Sequence, residues 1–322
     1  MQTRDNHPLV SVIIPTFNRK AMLVECINSV LENTYKNIEV LVADDASSDG
    51  TERVVHRYVA KKKIIYFKND KELLLSATIN KAIKLSHGDL VFILDDDNTL
   101  DKKCIEELVS TFKKFDAVGV VGPLALYYSH RNIIMHAGTR RSRFVRGFTS
   151  PHANEKWQGQ IKEGEEVEDF GNAFMFRMNA AKKAGLWDLL VPFYGEDADF
   201  QARVKKAGYK VIINPKAITY HNIQYLPKSN TMTLFFLRAN KMRIYNVMRD
   251  KILWEFRYDK NIAKFTFLLS TPLYFGFYFL AAMESKSMPS EKIRMVWALI
   301  KAFIDGYKDV ILKRSKIEYL NH

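Results

Sequence analysis

Short apolar runs alternate with segments of helical period along the first 120 residues, and this alternation constrains the fold most. The runs Leu9–Pro15, Ile38–Ala43 and Leu90–Leu94 have the length and composition of β-strands. Between them, Ala21–Leu31 and Leu75–Leu85 carry apolar residues at helical spacing. Strands that alternate with helices build a mostly parallel sheet with helices on both faces. The sequence therefore predicts an α/β fold.

Further regular elements are predicted as far as His221. A strand at Lys63–Phe67, a helix at Asp101–Phe115 and a strand at Ala117–Val121 continue the alternation. Residues 122–168 are less regular and are interpreted as an excursion over the sheet. Order returns at Phe170–Met178, and then come a helix at Gly195–Ala207 and a strand at Lys210–Ile213.

The composition changes after His221, and we expect a boundary near residue 225. The division is then a sheet domain at 1–225 and a helical region at 226–322. The helical region contains a basic helical segment at 231–262, an uncharged run of 19 residues at Phe265–Met283, and a basic amphipathic helix at 291–314.

The net charge of +13 is concentrated in the last third of the chain. Residues 223–322 hold 17 Lys and Arg against 8 Asp and Glu. Such a bias favours a polyanionic partner, either nucleic acid or an anionic membrane. The aromatic residues are not interleaved with the basic ones as a nucleic-acid stacking platform requires. We therefore expect no nucleic-acid partner and favour an anionic membrane surface.

The uncharged run Phe265–Met283 is close to the roughly 20 residues that cross a bilayer as a helix. Basic residues flank it on both sides, so the positive-inside rule selects no orientation for a single span. A segment that dips into the leaflet from the cytoplasmic face explains this symmetry better than a single span. The alternative is a helix, or a helical hairpin, that packs against the preceding domain.

The rest of the composition excludes several classes of protein. With 47% hydrophobic and 26% charged residues, the chain is not of the disordered class. Its two cysteines, Cys26 and Cys104, form no CxxC pair, so a structural zinc site or a disulfide framework is not expected. The polar first ten residues do not have the pattern of a signal segment. A reducing cytoplasmic environment is the expectation.

Acidic residues follow two of the predicted strands. Asp95, Asp96 and Asp97 come directly after Leu90–Leu94. Because ligands of open parallel sheets bind at the carboxyl ends of strands, these aspartates predict a Mg²⁺ or Mn²⁺ site. The alternative is a solvated acidic loop. Asp45, after Ile38–Ala43, is predicted to bind a base or a ribose, with helix capping as its alternative.

A third acidic group opens the predicted helix Gly195–Ala207. A carboxylate at Glu196, Asp197 or Asp199 can act as a general base when it lies within reach of a hydroxyl. The alternative is that these acidic side chains only stabilise the helix, through their favourable interaction with the positive end of its dipole. His221 ends the run AITYH and is a single histidine, which by itself is more often structural than a metal ligand.

Taken together, these segments resemble glycosyltransferase family 2, whose members share the GT-A fold. The order and the spacing of the motifs both match over about residues 9–222. The matching segments are VSVIIPTFNR (Val10–Arg19), VADDASSDGT (Val42–Thr51), GDLVFILDDDN (Gly88–Asn98), FGNAFMFRMNAAKKAGLWD (Phe170–Asp188) and YGEDADFQARVKKAGYKVIINPKAITYH (Tyr194–His221).

The resemblance implies a catalytic domain that uses a nucleotide diphosphate sugar as donor. Asp45 would bind the nucleotide base, Pro15 and Phe17 would line its pocket, and Asp96 would belong to the same nucleotide site. The donor would be a UDP-, GDP- or dTDP-sugar. The acceptor would be a glycan or a lipid-linked sugar.

The resemblance also implies the metal ligands and the base. Asp97, helped by Asp95, would hold Mn²⁺ or Mg²⁺ on the diphosphate, and His221 would be a further metal contact. Asp197 would deprotonate the acceptor hydroxyl, which makes the reaction inverting. Glu196 and Asp199 are the next candidates for this role.

Two departures from the family pattern are visible. Many members carry an Arg-Asn pair after a Gly-rich turn, whereas this chain reads KELLLSATIN, with Ile79 in place of the Arg before Asn80. The motif QxxRW of processive synthases does not follow Asp197, which favours transfer of a single sugar.

Two alternative functions, from other classes of protein, are also considered. A glycosyltransferase-like binding protein without catalysis would not need the complete set of aspartates. A nucleotidyltransferase normally needs a Gly-rich phosphate loop, and none is evident in the sequence.

Overall fold

The computed structural model describes residues 7–61, 64–142, 147–225, 240–258, 261–285, 287–314 and 317–320. Over these ranges the strands are β1 Val10–Thr16, β2 Ile38–Asp44, β3 Ile65–Lys68, β4 Leu90–Leu94, β5 Asn98–Leu100, β6 Val118–Tyr127, β7 Ile134–His136, β8 Arg140–Ser142, β9 Gly147–Thr149, β10 Ala173–Arg177 and β11 Lys210–His221. The helices are α1 Lys20–Leu31, α2 Thr51–Val59, α3 Leu75–Leu85, α4 Cys104–Lys114, α5 Met178–Ala184, α6 Glu196–Lys206, α7 Lys241–Tyr258, α8 Asn261–Glu284 and α9 Pro289–Ile311.

The described residues form two compact units. The sheet unit lies within Met1–Trp187, Phe200–Tyr225 and Ile317–His322, and the helical unit within Asp188–Asp199 and Leu226–Lys316. The segment Asp188–Asp199, which contains Asp197, therefore groups with the C-terminal helices. The domain boundary near residue 225 stays a prediction.

One large sheet organises the sheet unit, in the order β3-β2-β1-β4-β10-β6-β11-β5. Strands β3, β2, β1 and β4 pair in parallel, as do β6 and β11. Strand β10 runs antiparallel between β4 and β6, so the sheet is mixed where we expected a mostly parallel one. The reason is that β10 enters after the long excursion instead of after a crossover helix. The α/β class itself is confirmed.

Strand β4 shows why a continuous apolar run was the clearest sequence signal. Leu90, Phe92 and Leu94 join the core cluster on one side of the sheet. Val91 and Ile93 join the cluster on the other side. Because both faces are covered, every residue of the strand is buried, and the first carboxylate appears only where the strand ends.

Several elements differ from the sequence expectations. The excursion at 122–168 contains the short strands β7, β8 and β9, and β5 follows directly after the three aspartates. Strand β11 continues to His221 because an irregularity between Asn214 and Ile218 lets it resume pairing with β6. Part of the basic segment predicted at 231–262 lies outside the described residues, and the described part is α7.

In the helical unit, α7 packs along α9. Ile244, Met248 and Ile252 of α7 share a core cluster with Met295 and Leu299 of α9. The apolar segment predicted at 265–283 lies within α8. Among the helices that the structure describes, one stretch, at 264–284 in α8, is long and apolar enough to cross a membrane, and 28% of its apolar window is buried.

Candidate active site

The three aspartates lie at the carboxyl end of β4, where the sequence predicted them. The Asp95 N–H donates to the carbonyl of Asn172 at 2.8 Å, and the Asn98 N–H donates to the Asp95 carbonyl at 3.1 Å. The second bond closes a tight turn between β4 and β5, and the first ties the start of this turn to the residue before β10. The turn presents the Asp96 and Asp97 side chains at this edge of the sheet.

Arg19 is a functional candidate that the sequence analysis missed. Its Nη1 lies 2.8 Å from Oδ2 of Asp97 and 3.1 Å from Oδ1 of Asp96. One guanidinium therefore offsets the repulsion between two adjacent carboxylates. Arg19 follows β1, which is the neighbour of β4 in the sheet, so only the strand order could have revealed this contact.

Asp96 faces the protein. Its Oδ2 accepts a hydrogen bond of 2.7 Å from the Thr16 hydroxyl, and the residue is 4% exposed. Burial raises the pKa of Asp96 to about 6, although Thr16 and Arg19 both favour the ionised form. Asp96 therefore contacts Thr16 and Arg19 of its own chain, at the edge of the sheet where a nucleotide site is expected.

Asp97 pairs with His221, as a shared metal site would require. Oδ1 of Asp97 lies 3.1 Å from Nε2 of His221, and the Asn172 amide nitrogen lies 3.3 Å from the other ring nitrogen. Burial alone would raise the pKa of Asp97, but His221 and Arg19 lower it below its usual value. The pairing of β5 with β11 aligns Asn98 with His221 and so brings the imidazole to the carboxylate.

The donor types at this edge fit a divalent metal. A carboxylate from Asp97 and an imidazole from His221 are a suitable pair for Mn²⁺ or Mg²⁺, whose other ligands are typically phosphate oxygens and water. Among the residues that the structure describes, no three His, Cys, Asp or Glu side chains are grouped so that they could hold a metal ion by themselves.

His136 is a second missed residue near this pair. It lies on β7, inside the excursion that the sequence left without structure. Burial, and then the charge of His221, lower the pKa of His136 to about 4, so its ring is neutral near pH 7. Its Nε2 has no hydrogen-bond partner within the described part of the chain.

Asp45, the predicted base-binding residue, is bound to its own chain. Its carboxylate is buried and accepts hydrogen bonds from the Asn69 amide at 2.9 Å and the Thr78 hydroxyl at 3.0 Å. It also accepts the N–H groups of Leu73 at 2.8 Å and Leu74 at 2.9 Å. In this arrangement Asp45 holds the turn that leads into α3.

That turn is the place where the chain departs from the family pattern. Leu74 adopts φ +69° and ψ 169°, a conformation that favours glycine. Ile79, in place of the family's Arg, is fully buried in the core. The Asn80 side chain exchanges two hydrogen bonds of 2.9 Å with the backbone of Trp187. Leu74 thus adopts a glycine-like conformation without being glycine, and Asn80 has a structural role.

Pro15 and Phe17 have different environments. Pro15 is buried within β1, whereas Phe17, just beyond the strand, is 42% exposed. The loop that carries Phe17 is tied to the loop after β2, because the Ser48 N–H donates to the Asn18 side chain at 2.8 Å. An exposed aromatic ring is thus held on a defined loop at the carboxyl edge of the sheet.

The three acidic residues at the start of α6 differ in accessibility. Glu196 is 6% exposed and accepts the Gly195 N–H at 2.7 Å. Asp199 is 3% exposed and pairs with Arg257 at 3.1 Å. Asp197 is only partly buried. Of the three carboxylates, that of Asp197 is the most accessible to an acceptor.

A cavity of about 490 Å³ lies elsewhere in the sheet unit. Its lining includes His87 and Leu90 at the amino end of β4, and Arg177 and Lys182. The three aspartates follow the opposite end of the same strand. The cavity is therefore separate from the candidate active site.

Comparison with known proteins decides the family. The model of glycosyl transferase family 2 matches residues 11–185, more than half of the chain. This chain belongs to glycosyltransferase family 2. An N-acetylglucosaminyltransferase of Azorhizobium caulinodans is 26% identical over 279 residues, which cover 80% of this chain and 64% of the relative. Chondroitin synthase of Escherichia coli is 31% identical over 126 residues, or 39% of this chain and 18% of that protein. The chain thus spans less than two thirds of either relative.

Solved structures share the fold of this family 2 member. A mannosyltransferase from Pyrobaculum calidifontis, in complex with GDP-Man and Mn²⁺, has a TM-score of 0.54 and 17% identity, over 96% of this chain and 88% of its own. S. aureus TarS 1–349 in complex with UDP-GlcNAc has a TM-score of 0.56 and 16% identity, over 94% and 90%. The expected GT-A fold is confirmed.

Proposed function

We propose that this chain is a metal-dependent, inverting glycosyltransferase that moves one sugar from a nucleotide diphosphate sugar to a hydroxyl of a glycan or lipid-linked acceptor. The observation that carries the proposal is the pair of Asp97 and His221, 3.1 Å apart at the carboxyl edge of the sheet. Family membership supports it, as do the relatives and neighbours whose names describe sugar transfer and bound nucleotide sugars.

In this proposal Asp97 and His221, assisted by Asp95, hold Mn²⁺ or Mg²⁺. When bound, the ion neutralises the charge that develops on the departing nucleoside diphosphate. Arg19 keeps the Asp96 and Asp97 carboxylates in place and adds a fixed positive charge at the same edge. Because this charge is already oriented, it needs no rearrangement when the bond to the diphosphate breaks.

The nucleotide part of the donor binds at the edge formed by the loop after β1 and the turn before α3. Phe17 offers an exposed ring for stacking on a base, and Pro15 shapes the end of β1. Asp45 contributes mainly by holding the Leu73–Leu74 turn, whose backbone then faces the nucleotide. Since Ile79 is buried, no side chain at this position reaches a phosphate. The donor is a UDP-, GDP- or dTDP-sugar.

Asp197 acts as the base. Its carboxylate takes the proton of the acceptor hydroxyl while the acceptor oxygen forms a bond to the anomeric carbon. The bond from that carbon to the diphosphate oxygen breaks, and both electrons leave with the nucleoside diphosphate. Attack from the face opposite the leaving group inverts the anomeric configuration. The burial of Glu196 and Asp199 makes them weaker candidates for this step.

Membrane association is part of the proposal. On α8, Phe265, Leu269 and Leu273 are 61%, 66% and 77% exposed. On α9, Trp297 and Ile304 are 67% and 58% exposed and lie on one side of the helix. Exposed apolar faces with neighbouring basic residues suit an interfacial helix on anionic lipid. We place the enzyme on the cytoplasmic face of the cell membrane, with α8 dipping into the leaflet.

The test of the proposal is a panel of UDP-, GDP- and dTDP-sugars, scored by release of the nucleoside diphosphate with Mn²⁺, with Mg²⁺ and with EDTA. We expect one donor class to be consumed and EDTA to abolish release. NMR of the product from an acceptor panel should show inversion at the anomeric carbon. Metal-dependent donor binding without any release would instead favour a binding protein that has lost catalysis.

A further inference from the structure

Helix α7 presents three charged residues at seven-residue spacing, Arg243, Asp250 and Arg257, which places them on one face. All three contact the segment Asp188–Asp199 of the same unit. The Arg243 guanidinium lies 4.9 Å from the ring centre of Tyr194. Asp250 packs beside Gly195, where an added Cβ would lie 3.6 Å from the Cβ of Asp250. Arg257 forms ion pairs with two residues of this segment.

Arg257 joins the two ends of this segment. Its Nη2 lies 2.8 Å from Oδ2 of Asp188, and its Nη1 lies 3.1 Å from Oδ1 of Asp199. The two carboxylates are 0% and 3% exposed, and the Arg257 side chain is 20% exposed. The planar guanidinium fork fixes direction as well as distance, which an ammonium group does not do. The chain between Asp188 and Asp199, including Asp197, is therefore held at both ends by one side chain.

The first turn of α6 has two further restraints. The Tyr258 hydroxyl donates to Oδ1 of Asp199 at 2.7 Å, and the Asp199 N–H donates to the Gly195 carbonyl at 2.9 Å. Just before the helix, Tyr194 adopts φ +77°, which is unfavourable for a bulky residue. Such a conformation persists only when its surroundings determine it, and the guanidinium of Arg243 covers this ring.

We infer that Arg257 is a positioning residue for Asp197, acting through Asp188 and Asp199 and supported by Tyr258. The inference rests on the proposed role of Asp197 as the base. A base works only when its oxygen lies within hydrogen-bond reach of the reacting hydroxyl, and small misplacements have large kinetic costs.

The test uses the full chain with Arg257→Gln and Arg257→Lys, and Lys241→Gln as the matched control. Lys241 is the exposed first residue of the same helix. Hydrogen–deuterium exchange followed by mass spectrometry should show faster exchange in residues 188–199 for Arg257→Gln, a smaller increase for Arg257→Lys, and none for the control. Unchanged exchange in Arg257→Gln would overturn the inference, whether or not Asp197 is the base.

Turnover of the donor selected by the nucleotide-sugar panel supplies the second readout. We expect Arg257→Gln to lower kcat by about 10- to 100-fold with donor KM within about twofold, because geometry and not binding is lost. In an Asp197→Asn background the same change should add little, since both act on one step. Fully multiplicative losses would place Arg257 in a different role and overturn the inference.

The outcomes separate this inference from the proposed function. If Asp197→Asn keeps its kcat, the base assignment fails, whatever Arg257 does. If Asp197→Asn loses activity but Arg257→Gln keeps it, the base stands and the positioning role is wrong. Should Arg257→Gln fail to fold, Tyr258→Phe keeps the ring and removes the hydroxyl that bonds to Asp199. Faster exchange at 188–199 with a kcat loss of about 2- to 10-fold is then expected, and wild-type values of both would overturn the inference.

Discussion

The imidazole Nε2 of His221 lies 3.1 Å from Oδ1 of Asp97, and pairing of the backbone places the two side chains next to each other. Asn98, next to Asp97, pairs with His221 across β5 and β11. The Asn222 N–H also donates to the Asp97 carbonyl at 2.8 Å. These backbone contacts therefore bring together the two side chains of the proposed metal site.

Removal of Arg19 should change metal and nucleotide binding in opposite directions. Arg19→Ala takes away the cation that contacts Asp96 and Asp97, so Mn²⁺ alone should bind more tightly, by about tenfold. Nucleoside diphosphate in the presence of Mn²⁺ should bind more weakly, because a fixed positive charge is lost. Titration of Mn²⁺ by electron paramagnetic resonance and calorimetry of the nucleotide measure the two effects.

The control Arg53→Ala, at an exposed position on α2, should change neither affinity. Weaker Mn²⁺ binding in Arg19→Ala would contradict the account.

The backbone of Leu74 should be strained, and a pair of variants isolates this strain. Leu74→Gly and Leu74→Ala both remove the side chain, but only glycine adopts φ +69° freely. We expect the glycine variant to be more stable than the alanine variant by about 1 kcal/mol. Urea unfolding of the two proteins measures the difference. Equal midpoints would mean that the turn carries no strain.

The candidate base can be tested without changing the shape of the site. Asp197→Asn keeps the size of the side chain but removes its ability to accept a proton. We expect kcat to fall by about 10²- to 10⁴-fold with little change in donor affinity. Steady-state kinetics with the selected donor, beside calorimetry of donor binding, separate the two quantities. A variant with near-normal kcat would move the base to another residue.

Membrane binding should depend on the exposed apolar side chains of α9 together with its basic residues. Trp297→Ser with Ile304→Ser should reduce flotation of the full chain with vesicles that contain anionic lipid. Neutral vesicles should bind the unaltered protein more weakly, since Arg294, Lys301 and Lys308 lie three or four residues from Trp297 or Ile304 on the same helix face. A full chain that stays in the soluble fraction at low salt, without detergent and in the presence of anionic vesicles, would exclude the membrane interpretation.

The parts of the fold and of the site that could be predicted from the sequence are those that depend on local interactions. Strand β4 and the aspartates after it were predictable because a strand buried on both faces has a distinct composition. The contact of Arg19 with Asp97 depends on β1 lying beside β4, and strand order is not encoded locally. The contact of His221 depends on an irregularity in β11 that carries no clear sequence signal. The binding of Asp45 to the Leu73–Leu74 turn is likewise a contact between residues far apart in the sequence, which no local pattern predicts.

The most direct test of the central claim is calorimetry of the matching nucleoside diphosphate with Mn²⁺ for the unaltered chain and for Asp97→Ala. The account predicts that Mn²⁺ strengthens nucleotide binding in the unaltered chain and that this effect disappears in Asp97→Ala, while the fold stays intact by circular dichroism. The control Asp70→Ala, at an exposed position after β3, should keep the effect. Unchanged Mn²⁺-dependent affinity in Asp97→Ala would remove Asp97 from the metal site and contradict the account.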